Sequence, residues 1–222
     1  MDNKTEKPLL HLKDFKPKSN LVLEDHTPKR ARFPVVDSHT QIGLNYSFSG
    51  INPTDKDWMV EDLSAAIAKM DEVNIRCIVS VNGQWGDILK LNIQRYKEPY
   101  PDRFAIFAME NLDYSKIEEI NFGEKWAKEL EKAVAAGAQG MKAGKVLGLR
   151  YRDKKGKLIK NDDSRLDPIW ETAGELGIPV LIAPADPVAF FLPLDETNER
   201  YEELAEHSNW HFYGEDFPPF MD

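Results

Sequence analysis

Ile75-Arg-Cys-Ile-Val-Ser-Val81-Asn-Gly-Gln-Trp-Gly86-Asp-Ile-Leu-Lys-Leu-Asn-Ile-Gln-Arg-Tyr-Lys-Glu98 contains one full repeat of the pattern that runs through this chain. A short β-branched run is followed by a glycine-flanked loop and then by apolar residues at helical spacing. Pro99 and Pro101 stop the helix, and a second apolar run follows from Phe104 to Met109. Two strands joined through a helix need a crossover connection, which makes them parallel neighbours in one sheet. Because the runs are continuously apolar rather than alternating, the sheet is expected to be covered on both faces.

The same unit recurs on either side. Upstream, Pro34 to Ile42 reads as a strand, followed by a loop through Tyr46 and Pro53 and a helix over 60–73 that carries Leu63, Ile67 and Met70 on one face. Downstream come a helix from Glu124 to Ala136 with Gly137 as its cap, and a strand from Gln139 to Ala143. A helix over 166–175 follows, opened by Asp167 and Pro168 and ended at Gly177, and then a strand from Pro179 to Ala183. A helix from Asn198 to His207 and a short strand over Trp210 to Gly214 complete the reading. The five strands start about 36 residues apart, the spacing of a (β/α)8 barrel, and the three further units that complete one would bring the chain to roughly 330 residues.

The expected fold is therefore α/β, a TIM-type barrel that is C-terminally incomplete, with residues 34–222 supplying the first five units. Residues 1–33 are rich in Lys, Asp and Pro without sustained periodicity and read as an extended N-terminal arm. Five parallel strands would leave both sheet edges unpaired, to be covered by self-association, by a partner that supplies the missing strands or by the folded-back arm over 1–32; a homo-oligomer is expected.

Composition narrows the partners. The 222 residues carry 29 Lys plus Arg against 38 Asp plus Glu, a net charge of -9, which argues against nucleic acid. No apolar run approaches the ~20 residues of a membrane span, and Met1 to Lys7 lacks the apolar core of a signal peptide. A cytoplasmic protein with a small-molecule substrate is expected. The single cysteine, Cys77, excludes an intramolecular disulfide framework and reads as a core thiol within a strand.

The strongest chemical signal is Phe33-Pro-Val-Val-Asp37-Ser-His39-Thr-Gln41-Ile-Gly43. Side chains two apart on a strand share a face, so Asp37, His39 and Gln41 should converge. Trp85, in the loop after the second strand, is placed either to wall an aromatic substrate or to pack. The run Arg150 to Lys157, broken by Gly156, reads as a solvated hairpin-like excursion, and His207 and His211 as surface histidines.

The strand-one segment resembles the metal motif of the amidohydrolase superfamily, and most closely the amidohydrolase-related family that includes aromatic-acid decarboxylases. The resemblance extends to Asn82-Gly-Gln-Trp-Gly86, Gly140-Met-Lys142-Ala-Gly-Lys145-Val-Leu-Gly148-Leu, Asp167-Pro-Ile-Trp-Glu171 and Gly177-Ile-Pro-Val-Leu-Ile-Ala-Pro-Ala-Asp186-Pro. It implies a barrel whose mouth holds a divalent zinc or manganese ion, with His39, Asp37 and Gln41 at the metal positions. The candidate catalytic residues are Lys142 and Asp186 and the candidate substrate contacts Trp85 and Lys145; Asp186 is also a candidate metal ligand beside His39 and Asp37, and Lys142 or Lys145 a candidate amine nucleophile of lowered pKa. Gln41 stands where the family places a second histidine, Ala183 where it places a third, and Ala143-Gly144 where it carries bulky residues. A carboxamide is a poor substitute for imidazole, so the metal is expected to be held weakly or not at all. Two functions follow. One is a metal-dependent hydrolase or decarboxylase acting on a small carboxylic acid, ester or lactone. The other is a non-catalytic pseudoenzyme, or an engineered barrel scaffold, that acts through binding or a pocket lysine.

Overall fold

Five strands form in chain order: β1 (Val35–Thr40), β2 (Ile75–Ser80), β3 (Phe104–Met109), β4 (Gly140–Ala143) and β5 (Val180–Ile182). The structure is a computed structural model and describes residues 11, 24, 26–45, 50, 52–109, 114–145, 147–183 and 186–218. All neighbouring strands pair in parallel, in the order β1-β2-β3-β4-β5, and the sheet curls into a half-barrel with helices. The chain divides into two compact units, Thr27–Pro184, which contains the whole sheet, and Met1–His26 together with Ala185–Asp222.

In the sheet unit the connections are α1 (Leu63–Val73), α2 (Gly86–Asn92), α3 (Phe122–Ala135) and α4 (Asp167–Glu175). The Asp62 carboxylate starts α1 by accepting from the Ala65 N–H at 2.9 Å, and Asn74 ends it in the left-handed region at φ 68°. Gly137, at φ 115°, ends α3 in the same way, as its place in the sequence foretold. Asp167 is the first residue of α4 rather than its cap; Asp163 instead accepts from Arg165 N–H in the 3-10 turn just before. Without a break, α2 passes into a π-turn over Ile93–Lys97.

Two apolar cores lie between sheet and helices. Leu89, Ile93 and Tyr96 pack with Phe104, Ile106 and Ala108 of β3 and with Met70 of α1. Phe122 and Leu130 of α3 and Ile169 and Ala173 of α4 pack with Met141 of β4. Strand residues alternate in direction, so Ile106, Ala108, Met141 and Val180 define the helix-covered face, and Phe107, Met109, Lys142 and Leu181 the opposite one.

Cover on both faces holds only at the centre of the sheet. All four residues of β4 are buried, whereas Val36 on β1 is 57% exposed and Ile182 on β5 is 44% exposed. Among the described residues each of these strands has a neighbour on one side only, which a reading of local hydrophobicity cannot register.

The second unit holds α5 (Tyr201–Glu206). It starts three residues later than its sequence suggests, because Asn198 is tied into a turn. Its amide donates to the Ala189 and Pro193 carbonyls at 2.8 and 3.0 Å and its oxygen accepts from the Arg200 N–H. No strand forms over 210–214. Ser208–Trp210 makes a 3-10 turn, and the Trp210 ring stacks on His207 with centroids 4.1 Å apart.

Candidate functional site

The C-terminal ends of parallel strands are where α/β folds collect their chemistry, because loops of different units meet there. At the end of β4, Lys142 is 8% exposed, one of the few buried charged side chains. Its register neighbours are Met109 on β3 and Leu181 on β5. Two residues earlier on the same face, Gly140 leaves room for the Phe107 ring, since a Cβ there would lie 2.5 Å from Phe107 Cζ. Lys142 thus stands in a row of apolar register neighbours, where a buried charged group needs a partner. Lys145, beyond the strand, is exposed, and both lysines are engaged within the chain.

At β1 the sequence-based convergence meets a complication. Asp37 pairs with Ile78 and Thr40 with Ser80, so three steps along β1 match two along β2 and an extra residue enters β1. Such a bulge interrupts the alternation that would place Asp37, His39 and Gln41 on a common face. Asp37 is half-buried and accepts a hydrogen bond from the His39 N–H at 3.2 Å, while the His39 and Gln41 side chains are exposed. Among the described residues no group of three or more His, Cys, Asp or Glu side chains is placed to hold a metal ion. With one imidazole, one carboxylate and one carboxamide, β1 lacks the donors that tight zinc or manganese binding requires, and the residues present do not fit that ion.

Trp85 opens α2, packs against both cores and meets Trp126 edge-on, with ring centroids 6.1 Å apart. Asp186 belongs to the other unit, in the segment 186–218, where it is half-buried and engaged within the chain.

Polar side chains to which the sequence reading gave no role tie the strand ends together. Ser80 Oγ donates to the Ile42 carbonyl at 2.6 Å, and Gln84 donates to the oxygen of the fully buried Asn82. Asn92, from α2, donates to the Gly83 and Ile88 carbonyls at 3.1 and 3.0 Å. The Gly83 N–H donates to Phe107 O, and the Met109 N–H to Gln84 O, both at 3.1 Å. The loop over 82–86 is therefore bolted to β3, with each bond satisfying a polar group withdrawn from water. The only local signal was the pair of asparagines, one in the glycine-flanked loop and one on an otherwise apolar helix face.

No protein-family model, curated protein or solved structure matches this chain. Among the described residues, no helix is long and apolar enough to cross a membrane.

Proposed function

We propose that this chain is an amidohydrolase-type barrel protein that acts on a small carboxylic acid, ester or lactone at the C-terminal ends of its strands. Burial of Lys142 at the end of β4 carries this reading. A buried cation that exchanges its partner within the chain for a substrate can stabilise negative charge on a carboxylate or on a carbonyl oxygen under attack, away from the screening of bulk water. Bound this way, the substrate would be oriented over the Phe107–Met109 side of the sheet, against the loop that Asn82 and Asn92 hold rigid. The amidohydrolase assignment itself rests on the sequence resemblance.

The test is a panel of aryl esters, lactones and aromatic carboxylic acids, followed by proton release or carbon dioxide evolution. Turnover is expected to fall about 100-fold in Lys142→Met with the circular dichroism unchanged, the size of loss typical when one charge-stabilising donor is removed. Equal turnover in the two proteins would overturn the role of Lys142.

The donor set at β1 favours a second reading, a non-catalytic barrel that binds such acids without converting them. Saturable binding of a panel carboxylate that depends on Lys142, with no turnover, would select it. A chain that neither binds nor converts any of the panel would sink both readings.

A further inference from the structure

The segment 186–218 contains a groove of ≈ 590 Å³ that the function above does not use. Phe191, Phe212, Tyr213 and Phe217 line it, together with Leu192 and Glu215. The 3-10 turn Val188–Phe191 stops where Leu192 becomes extended, and the Phe212 N–H donates to the Phe190 carbonyl at 2.8 Å, which lays the two stretches side by side. The His211 ring nitrogen and the Leu192 carbonyl, 3.1 Å apart, add a second tie. Gly214, at φ 121°, reverses the chain, so that Phe217 returns to Phe212. Phe191 stacks on Phe212 with centroids 5.3 Å apart, while Phe217 meets Phe212 edge-on at 5.7 Å and 85°.

The Phe191, Phe212 and Phe217 rings, packed against one another, form an apolar wall beside the half-exposed Tyr213, and the faces of aromatic rings attract cations. Tyr213 is 50% exposed, with its ring tilted against that of His211 at a centroid distance of 5.8 Å. Glu215 lines the groove and is exposed, no lining residue is basic, and the volume lies in the range of small-ligand sites. An anion would be repelled by Glu215, and an uncharged apolar molecule would gain nothing from it.

We propose that this groove binds a small organic cation with an apolar body, of the quaternary or N-methylated ammonium class. Calorimetric titration of the full chain at pH 8 tests it with three ligands of one skeleton: choline, the uncharged 3,3-dimethylbutan-1-ol and the anionic 3,3-dimethylbutanoate. Choline is expected to bind saturably and at least tenfold more tightly than either of the others. The exposed-site variants Tyr213→Ala and Glu215→Gln are each expected to weaken choline at least threefold. A trimethyllysine peptide run alongside tells a free cation from a modified side chain, by whichever binds more tightly. Equal affinity for choline and the alcohol would reveal an apolar patch only. That result, the absence of choline binding, or choline binding unaltered in both variants would overturn the proposal.

Discussion

Arg165 faces three carboxylates from three parts of the chain. It holds Asp163 with two donors, Nε at 2.8 Å and Nη2 at 2.7 Å, reaches Glu118 with Nη1 at 2.9 Å, and lies 3.6 Å from Asp153. The hairpin excursion read from the sequence closes here, with Arg152 and Leu158 bridged antiparallel and the Lys155 and Lys157 N–H groups donating to Asp153. The hydrogen bond from Arg165 is the main cause that holds the Asp163 carboxyl below its ordinary value. For Asp153, desolvation pushes upward but is outweighed by the N–H bonds from Lys157 and Lys155 and by Arg165. Arg165 is pushed up in return, chiefly by its bond to Asp163, and stays charged throughout. A carboxyl whose folded value is depressed contributes stability that is present above the unfolded value near 3.8 and lost as pH falls through the folded one. Arg165→Met leaves three carboxylates facing one another, at a cost of about 1–2 kcal/mol at pH 7 after allowance for their partial exposure. Thermal unfolding from pH 7 to pH 2 is expected to show that gap narrowing below about pH 4, as the carboxyls protonate in both proteins. A gap that is constant or widens in acid would show that the cluster does not act as an ion-pair knot.

Among the elements, the clearest contrast is between two glycines. A Cβ on Gly83 would come within 2.3 Å of the Phe107 carbonyl oxygen and 2.7 Å of Ile106 Cγ2, and backbone cannot step aside. Gly83→Ala is therefore expected to destabilise by about 2–3 kcal/mol, the range for overpacking a fixed neighbour. Gly174, inside α4, has nothing within 4 Å of such a Cβ, and Gly174→Ala should stabilise by about 0.5–1 kcal/mol through helix propensity alone. Denaturant midpoints of the two variants check both signs, and a stabilising Gly83→Ala would refute the close approach of loop and strand. Positions of this kind mark the limit of what the sequence discloses. Strands β2 to β4 were legible because apolar runs such as Phe104–Met109 report burial directly, and Gly137 and Pro99 punctuate the helices between them. The bulge in β1 was not, because an extra residue shows only in the pairing of Asp37 and Thr40 with β2. For the site, Lys142 was legible by its place at the end of a strand, but its apolar row was not. Met109 and Leu181 reach it from far along the chain, through register.

For the whole molecule, what matters is how the sheet ends. Val35, Val36 and Phe33 on the β1 side are all exposed, Phe33 by 70%, and Ile182 is exposed on the β5 side. The outer N–H and C=O groups of an edge strand form a template for another strand, and apolar side chains around them lower the cost of pairing. Two features act against that. Pro34 precedes β1 without an N–H to donate, and a net charge of -9 makes copies of the chain repel at long range. Salt screens the repulsion but leaves burial of apolar surface intact, so the balance should tip with ionic strength. Light scattering after size exclusion is expected to give a mass that rises above 25.4 kDa with protein concentration, and more steeply at high salt. Val36→Lys places a charge on the edge strand and is expected to return the mass toward that of one chain. If the mass stays at 25.4 kDa at every concentration and salt level, the edges do not recruit a second copy and the homo-oligomer expected from strand counting is wrong. If Val36→Lys associates as the parent does, the contact lies elsewhere, and the β5 edge at Ile182 becomes the surface to charge next.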